Sequence, residues 1–221
     1  MNYKGLPFKT ELVEYVEIEK VLKEKGIPPS TDNPMVPYKY TLPSIFDTAT
    51  GVGVSESHRI AEYLDKTYPD TPKVIPPGTE VLQTAWIQAV TPHITAILQF
   101  SLPGTLNIID HAESRDYFHR TRSAIFGKDL NDMKPQGEAW DAAMKELEKG
   151  FNTIDQWISK SGGPYVMGEN PTFADFVLAG LLKWTEVAVG KDSKEWQLIM
   201  SWNDGRWAKR LAQLAKYENS E

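Results

Sequence analysis

Tyr40-Thr41-Leu42-Pro43-Ser44-Ile45-Phe46-Asp47, followed at a short distance by Glu56-Ser57, decides how this chain is read. Proline donates no backbone N–H, so Pro43 belongs at the start or edge of a strand. A cis bond before it would turn the N–H and C=O of Leu42 outward, where an extended peptide can pair with them. The turn-forming run Thr48-Ala49-Thr50-Gly51 and a second apolar run through Val52 and Val54 complete a hairpin. A helix is expected from about Glu56, with Ile60, Leu64 and Tyr68 on one face. Free N–H groups and the positive dipole end make a helix start a carboxylate site, so Ser57 can receive a carboxylate and Glu56 an ammonium. A plainer reading stands beside this one: Ser55 or Ser57 caps the helix and Glu56 is a favourable first-turn acid.

Outward from that stretch the chain divides into three zones. Residues 1–70 alternate strand-like and helical runs. Phe8 to Tyr15 alternates like a half-buried strand, Glu17 to Lys25 reads as a short helix closed by Gly26, and Ile27 to Pro37 reads as a proline-rich loop. Residues 71–79 form a linker, because the prolines and glycine of Thr71-Pro72-Lys73-Val74-Ile75-Pro76-Pro77-Gly78 continue neither helix nor strand. Residues 80–221 are expected to be all helical: Glu80 to about Gln99 with a kink at Pro92, Ser114–Ile125, Gly137–Ser159, Thr172–Val189 and Ser193–Ala215.

Thr172-Phe173-Ala174-Asp175 is a capping signal, in which threonine and aspartate satisfy each other's end of the first turn. The following run to Trp184 is apolar nearly all round and is expected to be a central helix. Trp184, Trp196, Trp202 and Trp207 are read as core. Arg120 and Arg122, beside Glu113 and Asp116, read as a solvated, ion-paired helix face.

Composition excludes more than it reveals. The net charge of −6, with no basic run, argues against a nucleic-acid partner. Without cysteine there is no disulfide framework, thiolate zinc site or CxxC redox pair. His58, His93, His111 and His119 have no metal-ligand spacing, so no metal is expected; His58 reads as a solvent-facing first-turn residue. No apolar run approaches a membrane span, and the cytoplasm is the expected location. Hydrolase elbows, P-loops and dinucleotide fingerprints are lacking.

The Leu42-Pro43 and Glu56-Ser57 pairs, with Ile60-Ala61-Glu62-Tyr63-Leu64-Asp65, resemble the glutathione site of the glutathione transferases. The segments Asn2 to Glu11, Tyr63 to Asp70, and Tyr117 to Arg122 with Phe126-Gly127 look like the fungal FuA class, whose helical domain is akin to UstS-like and β-etherase-type transferases. The resemblance implies an α+β two-domain fold, a truncated thioredoxin-like domain followed by an all-helical domain. It implies glutathione as cosubstrate, bound by Leu42, Pro43, Glu56 and Ser57. It implies a hydrophobic or aromatic partner molecule along the first two helices past the linker, where Trp86, His93, Phe100, Tyr117 and Phe118 lie; ordinary core packing explains these aromatics equally well. A homodimer is expected on the same ground. In the family a first strand and most of a first helix precede the segment matching Asn2–Glu11, and the loop between them carries the serine, tyrosine or cysteine that activates the thiol. No residue here matches it, and Tyr3 is not assigned that role. Three functions follow: conjugation of the thiol to an electrophile, a non-catalytic ligandin, or a protein-interaction module.

Overall fold

The hairpin forms where turn chemistry places it. β1 (Ser44–Asp47) and β2 (Val52–Ser55) pair antiparallel, Ser44 opposite Ser55 and Asp47 opposite Val52. At the turn the Gly51 N–H donates to the Asp47 carbonyl at 2.8 Å, and the Asp47 carboxylate accepts the Ala49 N–H at 2.9 Å. Gly51 takes φ 74, which a side chain would oppose. The computed structural model describes residues 1–30 and 38–218. The expected loop over Ile27–Pro37 therefore lies outside the described residues from 31 onward.

Ahead of the hairpin, α1 (Ile18–Glu24) forms as expected, followed by Gly26 at φ 67. A methyl group on Gly53 of β2 would sit 2.9 Å from the Ile27 Cα, so the strand rests directly on the residues that follow this helix. The strand expected over Phe8–Tyr15 does not form; the segment is irregular, and Leu12 is 93% exposed. Alternation alone does not make a strand. Its backbone needs a hydrogen-bonding neighbour, and among the described residues the sheet holds only β1 and β2.

α2 (Ser57–Thr67) packs back on the hairpin and buries Ile60, Ala61 and Leu64. Its Asp65 is a buried anchor. The Lys4 ammonium lies 2.6 Å from the carboxylate, both residues being under 10% exposed. The same carboxylate accepts the amides of Val74 at 3.1 Å and Ile75 at 2.8 Å. The chain start, α2 and the linker are thereby fixed to one charge pair.

The helical body contains α3 (Glu80–Ile94), α4 (Leu98–Ile108), α5 (Ala112–Phe126), α6 (Glu138–Ile158), α7 (Phe173–Val189) and α8 (Lys194–Leu214). Pro92 lies inside α3, and the break comes just beyond it, as a 3-10 turn at Thr95–Ile97. α7 is central. It packs on α3, α4 and α8, and α4 comes so near that a methyl group on Gly104 would lie 2.2 Å from the Ala188 carbonyl oxygen. Its expected capping box is present: the Asp175 carboxylate accepts the Thr172 N–H and hydroxyl, each at 2.9 Å, and the Val166 N–H at 2.8 Å. Burial pushes the Asp175 carboxyl above its ordinary range, against the pull of these donors.

Trp196, Trp202 and Trp207 join Phe151, Ile154 and Leu182 in the main core, and Trp184 packs on a second cluster around Phe118. One expectation is corrected here. The helix read over Ser193–Ala215 is interrupted, because Asn203, Asp204 and Gly205 take φ of 53, 57 and 70. The Asn203 side chain holds this left-handed turn, donating to Asn152 Oδ1 at 2.6 Å and accepting from Trp207 Nε1 at 2.7 Å.

Candidate functional site

The hairpin register brings the two halves of the candidate site together. Ser44 faces Ser55 in the last pair of the ladder, so Pro43 and Glu56 are the residues that adjoin the two strands at the same end. Two sequence stretches therefore meet at one edge.

The hairpin is tied to α2 through Asp47. Its carboxylate accepts the hydroxyls of Tyr63 at 2.6 Å and Tyr68 at 2.7 Å. These donors hold the Asp47 carboxyl down at about 2, and the same bond pushes the Tyr68 phenol up to about 12. Strand and helix cannot swing apart without breaking both bonds.

The Leu42-Pro43 bond is cis, and the Leu42 side chain is 45% exposed. No hydrogen bond ties the Leu42 N–H or C=O to another described residue. The segment leading to it is well held: Ser30 N–H donates to the Lys39 carbonyl at 2.6 Å, the Ser30 and Thr41 hydroxyls meet at 2.6 Å, and the Ser44 hydroxyl donates to the Thr41 carbonyl at 3.0 Å. A fixed backbone edge with open donor and acceptor suits an extended peptide.

At the other half, Glu56 is the residue before the first turn of α2, and its backbone takes φ 75, ψ 124. A non-glycine residue rarely adopts this conformation, and strain of this kind concentrates at functional positions. No side chain caps the helix. The Ser55 hydroxyl is engaged elsewhere, donating to the Pro28 carbonyl at 2.7 Å and meeting Ser44 at 3.1 Å. The plainer capping reading of Ser55, Glu56 and Ser57 is thereby set aside. The first intrahelical bond runs from Ile60 N–H to the Glu56 carbonyl at 2.8 Å, and the Ser57 and His58 amides have no partner among the described residues. Open amides, an exposed hydroxyl and a neighbouring acid form a mouth for a group carrying both carboxylate and ammonium.

Ser57 also lines a cavity of about 340 Å³ between α2 and α7, whose walls include Ile60, Leu64, Phe173, Phe176 and Tyr217. Tyr3 closes one side, its ring 5.4 Å from Phe176 and 5.2 Å from Tyr217. Sequence reasoning missed this cavity because its lining comes from both chain ends and two separate helices. Gly180 lines it too, and a methyl group there would meet nothing within 4 Å.

The aromatic residues past the linker divide differently from the expectation. Phe100 is 1% exposed and belongs to the core, so packing is its role. Trp86 packs on the same core, and His93 sits edge-on to Trp157 at 5.1 Å. Tyr117 lies at the surface of α5, its ring 5.7 Å from Tyr38. His58 does not face solvent as expected. It is half-buried between α2, α3 and α7, edge-on to Phe173 at 5.1 Å and 3.4 Å from the Thr84 hydroxyl. Among the described residues no cluster of His, Cys, Asp or Glu is arranged to hold a metal. Likewise, no described helix is long and apolar enough to cross a membrane.

A family model for the glutathione S-transferase C-terminal domain matches residues 81–217. The chain belongs to the glutathione S-transferase family. It is 30% identical over 222 residues to the glutathione S-transferase-like protein ustS of Aspergillus flavus, covering 94% of this chain and 77% of that protein. A glutathione S-transferase of Ceriporiopsis subvermispora, crystallised with glutathione, superimposes with a TM-score of 0.91 at 40% identity, over 100% of this chain and 88% of that one. Glutathione transferase GSTFuA3 of Phanerochaete chrysosporium gives 0.90 at 35% identity, over 100% of this chain and 87% of its own. In this transferase-family chain the hairpin and α2 belong to a thioredoxin-like unit, and α3–α8 are the family's helical unit.

Proposed function

We propose that this transferase-family protein binds glutathione across the hairpin edge and the α2 mouth. The Leu42 N–H and C=O pair with the cysteinyl backbone, with Pro43 keeping the edge clear of sheet hydrogen bonds. The γ-glutamyl carboxylate docks on the Ser57 amide and hydroxyl, and Glu56 receives its ammonium. The observation that carries this reading is the convergence of two unpaired backbone sites, Leu42 and the start of α2, at one hairpin end. They match a ligand with a peptide link at its centre and a free amino acid at its end.

The reaction class follows from the thiol so held. A free thiol has a pKa of about 8.5, so a few per cent is thiolate at neutral pH. The thiolate attacks an electrophilic carbon; a C–S bond forms, and the leaving group departs with the displaced electron pair. The electrophile is placed on the α3–α5 side, where Trp86, His93 and Tyr117 are at least partly exposed. Retention on immobilised glutathione together with conjugation of a chloronitrobenzene supports this reading. Failure to retain the protein removes it.

A second reading is favoured by the apolar cavity beside Ser57. A volume of about 340 Å³ accommodates a small flat compound. As a ligandin the protein would hold glutathione and an aromatic molecule without joining them. Retention without conjugation, plus quenching of tryptophan emission by flat aromatics, selects that reading.

A further inference from the structure

Arg122 departs from its expected place on a solvated, ion-paired face. Arg120 remains there, 3.9 Å from Asp116, while Arg122 turns inward. Its guanidinium lies 4.7 Å from the ring centre of Phe118, 5.4 Å from Tyr15 and 5.4 Å from Tyr38. It donates to the Thr121 hydroxyl at 2.9 Å, and no carboxylate of the described residues pairs with it. Among the described residues this half-buried cation is held by ring faces and one neutral hydroxyl. That arrangement is directional, since the attraction requires the charge to stand over the ring.

Two of the rings belong to the unit that carries the candidate glutathione site. Tyr15 precedes α1, and Tyr38 opens the segment that runs through Thr41 to Leu42. Tyr38 is also gripped by Tyr117 at 5.7 Å, and Arg120 covers Tyr117 at 5.9 Å. The other ties on this segment, Ser30 to Lys39 and Thr41 and Lys23 over Tyr40, come from its own unit. The Tyr38 clamp comes from α5.

We infer that Arg122 and Tyr117 are positioning residues for glutathione binding: by clamping the Tyr38 ring against α5 they hold the segment that presents the Leu42 edge. This rests on the reading of Leu42 as the peptide-binding edge. Neither residue touches the tripeptide. Each sets where the Leu42 backbone stands when the tripeptide arrives. The clamp also links the helical unit to the ligand edge, so a compound that displaces Tyr117 will weaken glutathione binding.

Three variants test this: Arg122→Met, Tyr38→Ala and Tyr38→Phe. Removing the charge or the ring is expected to raise the glutathione Kd about three- to tenfold, as loss of a partly desolvated cation–π contact implies. Tyr38→Phe keeps the ring face and is expected to bind like the parent. Arg122→Met also loses its contact with core Phe118, so the thermal comparison is made on Tyr38→Ala, which leaves that cluster intact and should barely move the unfolding midpoint; a merely structural contact would lower that midpoint and leave Kd alone. Amide hydrogen exchange over Tyr38–Leu42 is read in parallel, and is expected to quicken in Arg122→Met and Tyr38→Ala but not in Tyr38→Phe. Unchanged exchange in Arg122→Met overturns the clamp whether or not glutathione binds. A parent protein that ignores glutathione while Arg122→Met still quickens exchange overturns the proposed function and leaves the clamp standing.

Discussion

Ser44 stands opposite Ser55 in the hairpin, with their hydroxyls 3.1 Å apart, and this last pair of the ladder joins the strand that follows Pro43 to the strand that leads into α2. The Ser55 hydroxyl also donates to the Pro28 carbonyl at 2.7 Å, so the pair is locked to the chain behind it. Ser55→Ala leaves both the Pro28 carbonyl and Ser44 without that partner. It is expected to cost about 1–3 kcal/mol, the range for orphaned buried polar groups, measured by urea unfolding.

Asp47 gives the hairpin an acid-side pH dependence. Its carboxyl is held at about 2 in the folded protein, below the ordinary 3.8, so the folded state binds fewer protons than the unfolded state between those values. The stabilisation is fully present above about pH 4 and is lost as pH falls through about 2. Asp47→Asn should unfold at a lower temperature than the parent at pH 6, with the difference shrinking between pH 4 and pH 2. Because Asp47 is only partly buried, added salt should reduce the gap.

Lys4 and Asp65 form a buried pair whose halves are unequal in consequence. Lys4→Met leaves a buried carboxylate without its cation and is expected to cost about 3–5 kcal/mol. Adding Asp65→Asn to that variant removes the stranded charge while keeping an oxygen for the linker amides. Calorimetry should show the double variant more stable than Lys4→Met alone.

Thr172→Ala removes one side of the box that closes the first turn of α7. A loss of about 1–2 kcal/mol is expected from chemical denaturation, toward the upper end because Thr172 is 1% exposed.

The readable parts of this fold are those set by local chemistry. Pro43, the Thr48–Gly51 turn, Gly26 and the Thr172–Asp175 box each determine their own few residues. The Phe8–Tyr15 run failed as a strand because strand formation depends on a neighbour that no local pattern supplies. The break in α8 is not legible locally because the Asn203 side chain that holds its left-handed turn bonds to distant Asn152 as well as to nearby Trp207. Arg122 leaves its expected face for a related reason: its partners in space include Tyr15 and Tyr38, which are far from it in sequence. Within the candidate site, the residues were legible and their geometry was not. Neither the positive φ of Glu56 nor the cavity reaching Ser57 is encoded in any short stretch.

The central claim is that Leu42 and the mouth of α2 together hold one tripeptide. Isothermal titration of glutathione into the parent protein, Glu56→Gln and Ser57→Ala tests it most directly. Each variant is expected to weaken binding by at least about 1 kcal/mol, roughly fivefold, as loss of a charge-assisted contact requires. Equal affinities for all three proteins would contradict the assignment.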